Sequence, residues 1–264
     1  ECLMDLQLKG KTALVLASSS GLGKAIAHEL ADEGANVMLT SRSENKLKAA
    51  KEEIEKTAKG SVSYTLLDQT EYESIAKAVK RTRETFGPIS ILINNSGGPT
   101  AGKFESFKDE DWQQAFELTL LSYVRVIRMV LPDLKENNGR ILNNTSTSTK
   151  EPIDGLTLSN VFRTGILGLS KTLAQELAAD NILVNTIGPG RIQTERVEEL
   201  DQITANNKGQ TSEEIKDANL STIPMGRYGE PEEFAKVATF LVSGANTYMT
   251  GQNILVDGGK IKAI

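Results

Sequence analysis

The first residues of this 264-residue chain whose types and spacing could do chemistry are Ala17-Ser18-Ser19-Ser20-Gly21-Leu22-Gly23. Glycines in such a turn let backbone approach a pyrophosphate, and a following helix aims its N-terminal N–H groups and positive dipole end at it. The serine hydroxyls add donors. A tight turn that binds nothing reads the same way, so this signal is modest alone. About 20 residues further, where such a site distinguishes ribose hydroxyl from phosphate, stands Arg42. An acidic residue there would hold the 2′-hydroxyl of NAD, whereas an arginine accommodates the 2′-phosphate of NADP. Arg42 points to NADP, with NAD left open and a solvated surface arginine as the alternative. A second cluster, Thr145-Ser146-Thr147-Ser148-Thr149-Lys150-Glu151-Pro152, gathers hydroxyls around two titratable side chains. Lys150 or Glu151, if partly buried, could serve as a general acid, and a solvated loop pair is the alternative.

Composition removes several other chemistries. One histidine, His28, and one cysteine, Cys2, argue against a His-rich metal site, a histidine-based triad or an internal disulfide. His28 and Cys2 are expected to be structural or incidental. Acidic residues outnumber basic ones by 35 to 30, and no basic arm offsets the net charge of -5, so nucleic acid is not an expected partner. No apolar run approaches the roughly 18 residues of a membrane span. The start lacks the charged-then-apolar order of a signal peptide, and a cytoplasmic setting is expected.

The elements that must position these residues alternate along the whole chain. Strands are expected at 12–18, 35–40, 61–67, 89–93, 140–143, 182–187 and 252–256. Helices are expected at 22–33, from Ser43 to Lys59, from a Thr70–Glu73 capping box to Gly87-Pro88, at 109–131 closed by Pro132, at 156–179, and from Pro231 to Val242. The stretch 195–222 turns polar with weak helical periodicity, which reads as a flexible excursion or lid. Nearly continuous apolar strands between helices mean a parallel sheet covered on both faces. The reading is one doubly wound α/β domain over 1–264, a dinucleotide-binding (Rossmann) fold with seven parallel strands.

Taken together, these motifs resemble those of the short-chain dehydrogenase/reductases over essentially the whole chain. The family's glycine motif stands as 16–23 with Ala17 for its first glycine. Its adenine-binding aspartate resembles Asp68, and its N-N-A-G motif resembles Asn94-Asn95-Ser96-Gly97. Its nicotinamide-facing P-G motif resembles Pro189-Gly190, with Ile192 and Thr194 at the positions that touch ring and carboxamide. The resemblance implies that Ala17, Ser19, Ser20, Gly21, Leu22, Gly23, Arg42, Asp68, Asn95, Ser96, Gly97, Arg163, Pro189, Gly190, Ile192 and Thr194 hold the cofactor. It also implies homo-oligomers, dimers or tetramers, built on the fourth and fifth helices and the C-terminal segment.

The family's catalytic set departs from the pattern. Ser146 fills the serine position, but the tyrosine position thirteen residues on is Ser159, the following lysine position is Arg163, and the relay asparagine is Thr119. A serine is a far weaker acid than a phenol, and arginine does not shuttle protons. Ser159 and Arg163, one helical turn apart, are expected to form a hydrogen-bonded pair aimed at the ribose. Tyr123 could reach the site from the fourth helix, although a packed core tyrosine is the alternative; Trp112 is expected to pack in the core. Two readings follow. One is an NADP(H)-dependent oxidoreductase acting on a small carbonyl or alcohol, with an atypical acid or water supplying the proton. The other is a cofactor-binding sensor or partner subunit with little catalysis. The segment Glu136-Asn137-Asn138 lacks the basic residues that would dock an acidic carrier protein, which favours a free small molecule.

Overall fold

The computed structural model describes residues 4–263, so Cys2 lies outside the described residues. Seven strands form one parallel sheet: β1 (Thr12–Val15), β2 (Asn36–Ser41), β3 (Val62–Leu66), β4 (Ile91–Asn94), β5 (Arg140–Asn144), β6 (Leu183–Pro189) and β7 (Asn253–Val256). Their order is β3-β2-β1-β4-β5-β6-β7, so the winding reverses between β1 and β4. Register pairs Ala13 with Val37 on one side and Ile91 on the other. Strand alternation sorts the apolar side chains into two layers. Ala13, Val15, Val37, Leu39, Ile91 and Ile93 pack against α1 (Gly21–Asp32), α2 (Glu44–Ile54) and α9 (Pro231–Val242). Leu14, Met38 and Leu92 face the other way, onto α3 (Tyr72–Phe86), α5 (Ser122–Glu136) and α6 (Thr157–Glu176). Both faces are covered, as the apolar strands require.

Several expected boundaries are corrected. α2 stops at Ile54 rather than Lys59, because the N–H groups of Lys59 and Gly60 both donate to the Ala31 carbonyl and draw the chain toward β3. The Thr70–Glu73 capping box does not form. The Thr70 hydroxyl donates to the Asp68 carboxylate (2.7 Å) instead, and α3 starts at Tyr72 after Glu71. Pro132 does not close its helix. α4 (Asp109–Phe116), a π-turn over Glu117–Leu121 and α5 run as one helix to Glu136. Proline removes one ladder bond, but Arg83 holds the chain beyond it, donating to both Asp133 carboxylate oxygens and to the Met129 carbonyl (2.9 Å each). The polar stretch 195–222 is not irregular. It folds as α7 (Glu195–Lys208), ended by Gly209 at φ +65°, and α8 (Ser212–Leu220), started by a Thr211–Glu214 capping box. Among the described residues no helix is long and apolar enough to cross a membrane.

Candidate active site

A cleft of about 1130 Å³ opens at the carboxyl ends of the strands, over the β1/β4 reversal where open α/β sheets bind ligands. Its walls bring together Ala17, Ser19, Ser20, Gly21, Leu22, Arg42, Asp68, Asn95, Ser96, Gly97, Arg163, Pro189, Gly190, Ile192 and Thr194, and with them Ser146, Ser159 and Glu151. Of the residues the sequence singles out for the cofactor, Gly23 alone is off the wall. It is buried where a Cβ would collide with the Ala17 carbonyl and lie 2.6 Å from Asn95 Nδ2, so it serves close packing of helix on strand.

The turn after β1 fits a phosphate-bearing group. Ser20 is the N-cap of α1, but its side chain makes no capping bond, and the first turn of α1 has no acidic residue. The leading N–H groups therefore face the cleft without a side-chain acceptor. Ala17 adopts φ +46°, a left-handed conformation that suits glycine. An amide relay fixes the turn: Asn95 Nδ2 donates to the Leu16 and Ala17 carbonyls (3.3 and 3.1 Å), and Asn144 Nδ2 donates to Asn95 Oδ1 (2.8 Å). Arg42 is exposed at the rim. Burial raises Asp68, but the Thr70 hydroxyl and N–H, with the Arg42 guanidinium, outweigh it and hold the carboxyl below its ordinary range.

Ser146 is held by close approach of β6, since a Cβ on Gly188 would lie 2.9 Å from the Ser146 carbonyl oxygen. Its Oγ accepts the Ser148 N–H (3.1 Å), which leaves its own O–H to donate into the cleft. Ser159 is half-buried on the same wall. The expected Ser159–Arg163 pair is not formed. Arg163 turns inward, 5% exposed, and donates to the Asn144 carbonyl (2.9 Å), the Tyr123 hydroxyl (3.2 Å) and Ser96 Oγ (3.3 Å). A buried guanidinium must satisfy its fork of donors, and these three oxygens do what one serine could not.

Other candidates are sorted by position. Tyr123 is fully buried, donates to the Asn144 carbonyl (3.1 Å) and stands behind Arg163 rather than on the cleft wall. Thr119 is buried in the π-turn, and its hydroxyl has no hydrogen-bond partner among the described residues. Lys150 is exposed and off the wall, while Glu151 accepts the N–H groups of Lys262 and Ala263. His28 shares a 2.7 Å contact with the Thr57 hydroxyl on the outer surface. Trp112 is half-buried, edge-on to Phe104 and Phe162.

Three features escaped the sequence reading: the Asn95–Asn144 relay, the Tyr123–Arg163 contact, and a latch beneath α7. In the latch, buried Asp201 accepts from Arg191 (2.8 Å), Tyr228 (2.8 Å) and Asn219 (3.0 Å). Burial, and the Asp201 carboxylate that accepts its proton, push Tyr228 up to about 12. The paired asparagines at the end of β5 were the one available signal; the latch joins residues too far apart in sequence to announce itself.

A sequence profile described as Enoyl-(Acyl carrier protein) reductase matches residues 16–260. The chain is 35% identical over 257 residues to a 3-oxoacyl-[acyl-carrier-protein] reductase of Thermotoga maritima, covering 97% of this chain and 100% of that protein. It is 31% identical over 256 residues to an NADPH-dependent reductase of Bacillus subtilis, covering 96% and 99%. Among solved structures, L-sorbose reductase from Gluconobacter frateurii, complexed with NADPH and L-sorbose, superposes with a TM-score of 0.93 at 32% identity, covering 99% and 100% of the two chains. An NADPH-dependent reductase involved in bacilysin biosynthesis superposes at 0.91 with 32% identity, covering 96% and 99%. With a profile match over nearly its whole length and relatives of this identity and coverage, the chain belongs to the short-chain dehydrogenase/reductase family.

Proposed function

We propose that the chain is an NADP(H)-dependent oxidoreductase of small carbonyl or alcohol substrates that works without a phenolic acid. The observation that carries this reading is Arg163, a buried guanidinium on the cleft wall at the position where the family has lysine, facing the same space as the Ser146 hydroxyl. When bound, the nicotinamide supplies hydride to a carbonyl carbon. The turn 17–23 would hold the pyrophosphate, Arg42 the 2′-phosphate, Asp68 the adenine, and Pro189, Gly190, Ile192 and Thr194 the nicotinamide side. Asn95, Ser96 and Gly97 would line the ribose. Ser146 donates its O–H to the substrate carbonyl oxygen, and the fixed charge of Arg163 favours the oxyanion as it develops. Neither residue surrenders a proton; water entering the open cleft protonates the alkoxide, and the hydroxide formed leaves to bulk solvent. Ser159 is a further neutral hydrogen-bond donor beside them. The start of α7, which lines the cleft from Glu195 to Leu200, covers the substrate end as a lid with α8 packed against it, and Arg196 Nη2 reaches the Pro99 carbonyl (3.4 Å) from across the cleft.

The alternative is a nucleotide-binding protein with little catalysis, and the loss of tyrosine, lysine and asparagine together favours it. Assay of the purified protein with NADPH across aldehydes, ketones and sugars separates the two. Turnover above background supports the oxidoreductase, and its absence with every compound contradicts it. The double variant Ser159→Tyr with Arg163→Lys sharpens the result. Loss of activity that the wild type has supports the arginine-based site, whereas a gain that the wild type lacks supports the binding protein.

A further inference from the structure

The charged side chains at the substrate end of the cleft do not cancel. Arg191 is paired with Asp201 (2.8 Å), Arg196 with Glu199 (2.8 Å), and Glu195 with Lys46 (3.9 Å). The Glu151 carboxylate is taken by two backbone N–H groups of the C-terminal segment (3.2 and 3.1 Å). Two cations at this end have no carboxylate partner within ion-pair distance among the described residues. Arg163 is buried against neutral oxygens alone. Lys260 is half-buried on the cleft wall, and among the described residues its ammonium has neither a hydrogen-bond acceptor nor a carboxylate within ion-pair distance. Burial and the neighbouring Arg191 hold its pKa below the usual lysine value, against the opposing pull of the Asp201 and Asp257 carboxylates. A desolvated charge is costly until an opposite charge meets it.

Lys260 is also held in place. The Asp257 carboxylate accepts the N–H groups of Gly259 (2.9 Å) and Ile261 (2.8 Å), and Glu151 clamps the two residues after Ile261. Lys260 and Ser146 line the same cleft, whose walls also carry the apolar side chains of Leu118, Ile153, Leu156, Val197 and Leu200. We propose that the substrate is an oxo acid with an aliphatic body, its carboxylate anchored by Lys260 and its carbonyl presented to Ser146 and Arg163. One ammonium among apolar walls matches a carboxylate better than a phosphate, whose three acceptor oxygens call for several donors.

The proposal rests on the oxidoreductase reading, and its test separates the two. Calorimetric titration of the NADP⁺-loaded protein compares 5-oxohexanoate with its methyl ester, and initial rates with NADPH are measured with the same pair. The acid is expected to bind about tenfold more tightly than the ester. Lys260→Met should collapse that ratio to near one, and Lys260→Arg should restore it; NADPH affinity, titrated separately, reports that each variant is folded. Equal binding of acid and ester by the wild type, or no binding of either, overturns the proposal. So does a ratio that survives in Lys260→Met. Preferential binding of the acid without turnover leaves the carboxylate anchor standing and contradicts the oxidoreductase reading instead.

Discussion

Two residues stand in conformations or contacts that the family pattern does not require, and each makes a prediction. Ala17 occupies a left-handed conformation, φ +46°, at the turn where the family has glycine. A β-carbon there costs about 1–2 kcal/mol, part of which glycine returns as extra freedom of the unfolded chain. Ala17→Gly should therefore stabilise the protein by about 0.5–1 kcal/mol and raise Tm by about 1–3 °C, as scanning calorimetry would show. Tyr228 carries the second prediction. Its folded-state pKa is raised from 10.0 to about 12, so folding favours the neutral phenol. That stability is fully present below pH 10 and is lost as pH rises from 10 to about 12. In denaturant titrations the advantage of wild type over Tyr228→Phe should hold constant up to pH 10 and shrink above it. At this scale the gathering of the glycine turn, Arg42 and Asn95-Ser96-Gly97 at one cleft was legible, because glycine turns and an arginine at a fixed offset are local signals. Arg163 was legible as a substitution but not as a geometry. Its partners Tyr123, Asn144 and Ser96 come from three separate segments, so spacing along one helix suggested Ser159 wrongly.

At the scale of elements, the alternation of strand and helix was readable because buried parallel strands are apolar on both faces and helices carry their own caps. The errors fall where a distant side chain overrules a local rule. Pro132 reads as a stop, yet Arg83 reaches over from α3 and holds the helix together beyond it. The polar stretch 195–222 reads as loose because its apolar content is low; what orders it is the buried Asp201 latch. Asp201→Ala strips Arg191 and Tyr228 of their shared acceptor inside the protein. The expected cost is about 3 kcal/mol, by analogy with removal of one member of a buried pair. Because the latch ties α7 and α8 to the strands' ends, hydrogen exchange should speed up first in those two helices. Unchanged protection in α7 and α8 of that variant would show that something else holds the two helices.

At the scale of the whole molecule, one outer face is conspicuously apolar. Phe104 is 69% exposed, Val161 49% and Phe116 37%, beside the ring stack of Trp112 and Phe162 on α4 and α6. The family resemblance implies assembly through this region, and a face of this composition suits burial against a second copy. Light scattering after gel filtration should give a mass that is a multiple of the chain mass, and Phe104→Glu with Phe116→Glu should lower it; a monomeric wild type contradicts the assembly. The central claim, though, is chemical: carbonyl reduction in a site where a fixed guanidinium stands in for the usual phenol and ammonium. It is tested most directly by the rate of NADPH oxidation with a ketone substrate for wild type, Arg163→Met and Ser159→Ala. Losing one oxyanion-stabilising group costs on the order of 10²-fold in kcat. The account predicts that loss for Arg163→Met and only a small change for Ser159→Ala. It also predicts a wild-type kcat without an ionisation between about pH 6 and 9, since no titrating acid takes part. Equal rates for wild type and Arg163→Met, or a kcat governed by a group titrating in that range, would contradict it.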